Sequence, residues 1–84
     1  MKIEFSTKAA RQLKKLHKNA KLFQLLKSSI WQLTEQPYLG KALDGEFDGM
    51  RSLRVGNWRV IYEVHARRLI VHIVEIDDRK DVYR

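Results

Sequence analysis

The apolar positions of this chain change period as it proceeds. Lys2-Ile3-Glu4-Phe5 alternates polar and apolar, which predicts a short first strand. Ala9, Ala10, Leu13 and Leu16 then recur at helical spacing, with Lys8, Arg11, Lys14 and Lys15 between them. That pattern predicts a short amphipathic helix, apolar stripe inward and basic face outward. Ser6 or Thr7 supplies its N-cap oxygen. Leu22, Phe23, Leu26, Ile30 and Leu33 form the stripe of a second, longer helix, broadened by Leu25 and Trp31. Asn19 is its cap. Pro37 is its expected stop, because the residue before a proline is pushed out of helical geometry. The two helices form a hairpin around Lys18-Asn19.

From Met50 onward the period is two. β-Branched and aromatic residues predict strands at about Met50–Val55, Trp58–Val64 and Leu69–Ile76, joined by turns at Val55-Gly56-Asn57 and His65-Ala66-Arg67-Arg68. Alternation sorts the middle strand by face. Trp58, Val60, Tyr62 and Val64 make a core face; Arg59, Ile61 and Glu63 point the other way. An arginine inside a strand is costly to bury unpaired, so its face is expected to be uncovered where Arg59 sits. Residues 37–49 read as a loop, with turn signals at Asp44-Gly45 and Asp48-Gly49. Lys41 and Leu43 begin a brief extended piece there, and Phe47 tucks beneath it. The whole is one α+β domain over residues 1–84: an N-terminal strand and a helical hairpin packed on one face of a small, mainly antiparallel sheet.

Composition narrows the function. The chain has 84 residues, 44% hydrophobic, with no cysteine and one proline. That supports a small core and excludes a disulfide framework and thiolate chemistry. No long apolar run is present, so no signal peptide or membrane span is expected and cytoplasmic residence is the default. Lys plus Arg number 17 against 10 Asp plus Glu, a formal charge of +7. A field of that size suits a phosphate-rich partner or an acidic protein, without choosing between them.

Among possible chemistries, the arginines stand out. Arg51, Arg54, Arg59 and Arg79, with Lys41 and Lys80 as additions, offer always-charged donors suited to phosphate. Several of them around one phosphodiester would stabilise a five-coordinate transition state. Arg51 and Arg54 alternate onto opposite faces, and Arg67 and Arg68 at a hairpin tip read as a solvated rim. Tyr83 either stacks on a base and moves a proton or packs on the sheet edge. Tyr62 is core. His17, His65 and His72 form no set, His72 lying in phase with Ile70, Val74 and Ile76, and no metal or cofactor is expected. Glu63 and Glu75 read as ion-pair partners of basic residues. No glycine-rich phosphate loop, zinc helix or serine elbow occurs.

The run Arg51-Ser52-Leu53-Arg54-Val55-Gly56-Asn57-Trp58-Arg59-Val60-Ile61-Tyr62-Glu63-Val64, followed by a strand and then Arg79-Lys80-Asp81-Val82-Tyr83-Arg84, resembles the RelE/ParE superfamily of toxin–antitoxin toxins. The resemblance spans essentially the whole chain and implies the RelE-like, microbial-ribonuclease-type version of the fold. The ending Arg79-Lys80-Asp81-Val82-Tyr83 is similar to the RelE branch, whose members are ribosome-dependent, metal-independent endoribonucleases that cut mRNA in the ribosomal A site. On that resemblance Arg59, Arg79 and Tyr83 match catalytic positions, with Arg54 beside them. Lys41, Arg51, Lys80 and Arg84 would contact RNA. Asp77-Asp78 stands where many relatives carry Gly-His, and Asp78 is the acid–base candidate. Ser52 stands where some relatives carry lysine. The resemblance also implies an acidic antitoxin wrapping the basic surface, a ribosome and mRNA as targets, and operator DNA reached only through the antitoxin. The alternatives are a ParE-like gyrase poison without nuclease activity, or a weakened homologue that only binds antitoxin.

Overall fold

The computed structural model describes residues 1–78. Strand β1 (Lys2–Phe5) leads into helix α1 (Thr7–Lys15), a 3₁₀ turn at Leu16–Lys18 and helix α2 (Ala20–Gln32). Strands β2 (Lys41–Ala42), β3 (Arg51–Val55), β4 (Trp58–His65) and β5 (Ile70–Asp78) follow. They form one sheet in the order β1-β5-β4-β3-β2. β1 runs parallel to β5; the other pairings are antiparallel. The three expected strands of the second half are present, and the extended piece at Lys41 is a two-residue edge strand.

The helical hairpin covers one face of the sheet. Ala9 of α1 and Leu26, Ile30 and Leu33 of the α2 region pack on Val55, Val60, Tyr62, Val71, Ile73 and Ile76, all buried. Both expected caps form. Ser6 Oγ accepts from the Ala9 amide at 2.9 Å and Asn19 Oδ1 from the Leu22 amide at 3.2 Å.

The helical stripe is narrower than the sequence suggests: Leu25 and Trp31 are exposed, at 51% and 70%. They lie beyond the arc of α2 that can touch a flat sheet. Nor does Pro37 end the helix. α2 stops at Gln32, where Leu33 and Thr34 donate to Ile30 and Trp31 in tighter, 3₁₀-type bonds. The Thr34 hydroxyl also donates to the Trp31 carbonyl at 2.7 Å, satisfying a helix-end acceptor.

A bulge corrects the expected alternation on β5. Ile61 pairs with Glu75 but Tyr62 pairs with Ile73, leaving Val74 extra. Before the bulge Val71 and Ile73 face the core; after it, Ile76 does. His72 is therefore not in phase with Ile76. It lies on the outer face, opposite Glu63 and 3.0 Å from Glu4. Ile61 departs as well: it belongs to the outer face yet is fully buried, flanked there by the long side chains of Arg59 and Glu63 and opposed by Ser52 and Glu75.

β1 ends at Phe5, so the flank of β5 beyond Ile73 has no strand beside it. Helix α1 closes that flank with side chains. Ser6 Oγ donates to the Val74 carbonyl at 2.7 Å and Gln12 Oε1 accepts from the Ile76 amide at 2.8 Å. Lys8 pairs with Glu75, whose carboxylate holds the ammonium pKa above its ordinary value.

The loop before β2 hangs on one buried tyrosine. The Tyr62 hydroxyl oxygen accepts from the Gly40 amide at 2.8 Å. Arg51 donates to the carbonyls of Gly40 at 2.9 Å and Tyr38 at 3.2 Å, and its guanidinium lies over the Tyr38 ring. A Cβ at Gly40 would come within 2.7 Å of both the Ser52 carbonyl oxygen and the Tyr62 hydroxyl.

Gly40→Ala should therefore lower stability by about 1–3 kcal/mol through overpacking, read as a lower midpoint in urea with an unchanged slope. Ser6→Ala removes a cap and an edge donor together. It should cost about 1–2 kcal/mol, a drop of several degrees in Tm by calorimetry.

Candidate functional site

The chemistry gathers on the outer face of the sheet, opposite the helices. Arg54 and Arg59 face each other across β3 and β4. Lys41 on β2 pairs with Ser52, the residue two before Arg54 on the same face of β3. These side chains, with Ala42, Leu43 and Asp44, line a cavity of about 460 Å³. Lys41 and Arg54 are exposed. Three cations thus share one concavity, and Asp44 is the acid in its wall.

Two like charges directly opposite on neighbouring strands repel. Arg59 has its counter-ion on the other side. In register, Asp77 of β5 faces it, and one guanidinium nitrogen lies 3.3 Å from the carboxylate. Both side chains are about one-quarter exposed. The bulge makes this pairing, since it places Glu75 and Asp77 on the outer face. The contact is long for a charge-assisted bond, which typically spans roughly 2.7–2.9 Å. It also engages only one arm of the fork. Arg59 Nε is buried and has no hydrogen-bond partner among the described residues, a state that costs roughly 1–3 kcal/mol. Arg54 is held more loosely still, by a 3.4 Å contact from Nε to the Gly56 carbonyl.

The fold thus brings together Lys41, Arg54 and Arg59. Arg51 stands on the opposite face and its donors hold the loop at Tyr38 and Gly40. Asp78 faces Trp58 in register, so alternation directs it away from Arg59, and Asp77 is the acid beside that arginine. Arg79, Lys80, Tyr83 and Arg84 lie outside the described residues. No group of three or more His, Asp or Glu converges as metal ligands among the described residues. None of the described helices is long and apolar enough to cross a membrane.

Sequence reasoning missed two features. One is Asp77 as the partner of Arg59, legible only if the bulge is known. The other is a pair of apolar grooves on the helical side, of about 680 and 600 Å³, which share Phe5, Leu13 and Phe23. Lys14, Lys15 and Lys18 line the first; Lys27, Ile30 and Trp31 line the second. Trp31 itself was the available signal, but its helical phase placed it in the stripe that faces the core.

Residues 3–83 match the family model described as the ParE toxin of the type II toxin–antitoxin system parDE. Toxin RelG of Mycobacterium tuberculosis is 32% identical over 83 residues, covering 98% of this chain and 94% of the relative. A chain of the toxin–antitoxin complex RelBE2 from M. tuberculosis superposes with a TM-score of 0.82 at 29% identity, covering 93% of this chain and 96% of that one. The isolated RelE toxin of E. coli shares the fold, with a TM-score of 0.78 at 18% identity over 98% of this chain and 89% of that one. Together with the sheet and hairpin described above, these matches show that the chain belongs to the RelE/ParE superfamily of type II toxin–antitoxin system toxins.

Proposed function

We propose that this chain is a metal-independent endoribonuclease that cuts mRNA in the ribosomal A site and so arrests translation. The observation that carries this reading is the concave triad of Lys41, Arg54 and Arg59, with Arg59 fixed in the central strand and its fork incompletely satisfied. In the reaction, a ribose 2′-hydroxyl gives up its proton as its oxygen attacks the adjacent phosphorus. The bond from phosphorus to the 5′-oxygen breaks and that oxygen takes up a proton. The products are a 2′,3′-cyclic phosphate and a 5′-hydroxyl end. Arg59 and Arg54 stabilise the added charge on the five-coordinate phosphorus, and Lys41 holds a flanking phosphate. Arginine stays protonated and is no base. Arg79 and Tyr83 supply a second phosphate contact and base stacking with proton transfer. Lys80 and Arg84 extend the RNA-binding surface; Arg51, which holds the loop on the opposite face, and Asp78, directed away from Arg59, have no part in it. The ribosome positions the strand.

The partner that silences the toxin is an acidic antitoxin. The +7 charge supports this, as do the lysine-rimmed apolar grooves. The antitoxin's apolar residues fill the groove at Trp31, and its acids meet Lys14, Lys18 and Lys27. A gyrase poison is the second reading, favoured by the ParE description of the family match.

Primer extension on a reporter mRNA in a translating extract tests the first reading. Cuts should fall in phase with codons. Arg59→Ala should slow them about 100-fold or more, the scale of losing one transition-state donor. Lys41→Ala should slow them about tenfold, and Arg67→Ala, at the hairpin tip, should change nothing. Intact mRNA with inhibited supercoiling would move the assignment to gyrase. Intact mRNA without growth arrest would leave an antitoxin-binding homologue. For the groove, Trp31→Ala should leave Tm within about a degree, because the ring is exposed, and weaken antitoxin binding at least about tenfold by calorimetric titration.

A further inference from the structure

We infer that Asp77 is a resident anion that holds Arg59 in reserve until a phosphodiester displaces it. This rests on the phosphate-site reading above and concerns how that site is switched.

Three observations converge on it. The Arg59–Asp77 contact is long and uses one nitrogen of the guanidinium. Arg59 Nε is buried and unpartnered among the described residues, so the Nε–Nη2 edge that would grip two phosphate oxygens is held at one nitrogen only. The other two cations of the cavity, Lys41 and Arg54, are exposed. A phosphodiester therefore meets Lys41 and Arg54 first. Its charge then competes with the Asp77 carboxylate for Arg59. When the guanidinium swings over, Nη2 exchanges the carboxylate oxygen for a phosphate oxygen and Nε gains one, so the orphaned donor is relieved. The unloaded site is guarded by an internal charge, and a ligand must be anionic enough to replace it.

A carboxylate that merely positions Arg59 predicts the opposite mutational sign. If Asp77 aims the arginine, neutralising it weakens binding; if Asp77 competes, neutralising it strengthens binding. The probe is a 5′-labelled single-stranded RNA hexamer, titrated at low salt by fluorescence anisotropy. Asp77→Asn should bind it about fivefold tighter, the scale of removing one nearby charge in a solvated site. In an Arg59→Ala background the same change should shift affinity less than about twofold. In the wild type, the Arg59 Nε–H resonance should move on hexamer addition as the group gains an acceptor. Asp77→Ser, with Tm checked for both variants, guards against a local effect of asparagine.

Affinity unchanged or weakened in both Asp77 variants overturns the inference, and so does an equal gain with and without Arg59. The two readings separate cleanly. Codon-phased cleavage with no gain in Asp77→Asn leaves the nuclease and sinks the guard. An Arg59-dependent gain with intact mRNA leaves the guard on a phosphate site and sinks the nuclease.

Discussion

One irregularity in the last strand governs the rest of the molecule. The extra residue at Val74 resets the alternation of β5, and both layers depend on the reset. On the helical side it turns Ile76 into the core beside Ile73. On the outer side it turns Asp77 towards Arg59. Beyond Ile73 the bulged strand also has no β1 neighbour, so backbone groups on that flank lack ladder partners. Here α1 supplies them, through the Ser6 hydroxyl on Val74 and the Gln12 carbonyl on Ile76. The helix N-cap and the strand irregularity are thus one device, and the short first strand is its precondition: had β1 run longer, it would occupy the flank that α1 closes.

The central strand shows why the outer face can hold so much charge. β4 is flanked on both sides as far as Tyr62, so the outward side chains of Arg59 and Ile61 each have two cross-strand neighbours. For Arg59 these are an arginine and an aspartate. The repulsion and the attraction oppose each other across the same guanidinium, and neither is strong in a partly solvated setting. The arginine is consequently retained in the sheet without being locked there. A tight, bidentate pair would have made a sturdier strand and occupied more of the guanidinium's donors.

Much of the fold was legible because period and caps are local properties. Ser6, Asn19, the three strands and the Tyr62 face follow from spacing and side-chain chemistry, and the short piece at Lys41 from residue type. What escaped was non-local. The phase of His72 and Ile76 depends on a bulge set by the partner strand and by α1. The burial of Ile61 depends on what flanks it. The exposure of Leu25 and Trp31 depends on how much of a helix a sheet can cover. For the site, the likeness of residues 51–64 to a known family pointed to Arg54 and Arg59, and composition pointed to anions. The separation of Arg51 from them followed from simple alternation. The closeness of Lys41 did not, since a two-residue strand carries almost no periodic signal.

The Gly40–Tyr62–Arg51 attachment gives the third cation an independence the arginines lack. Arg54 and Arg59 are built into long strands whose other face is the core, so any shift in them disturbs packing. Lys41 is delivered by a loop anchored at its start, just before β2, and by a two-residue pairing. Downstream, residues 43–50 are tied chiefly to one another, by turn bonds such as Leu43 to Met50 and Met50 to Phe47. Insertions, deletions and charge swaps there would reshape the mouth of the cavity while the hydrophobic layer stays intact. The architecture thus separates a packed layer that fixes the two arginines from a loop that can change shape without disturbing that layer.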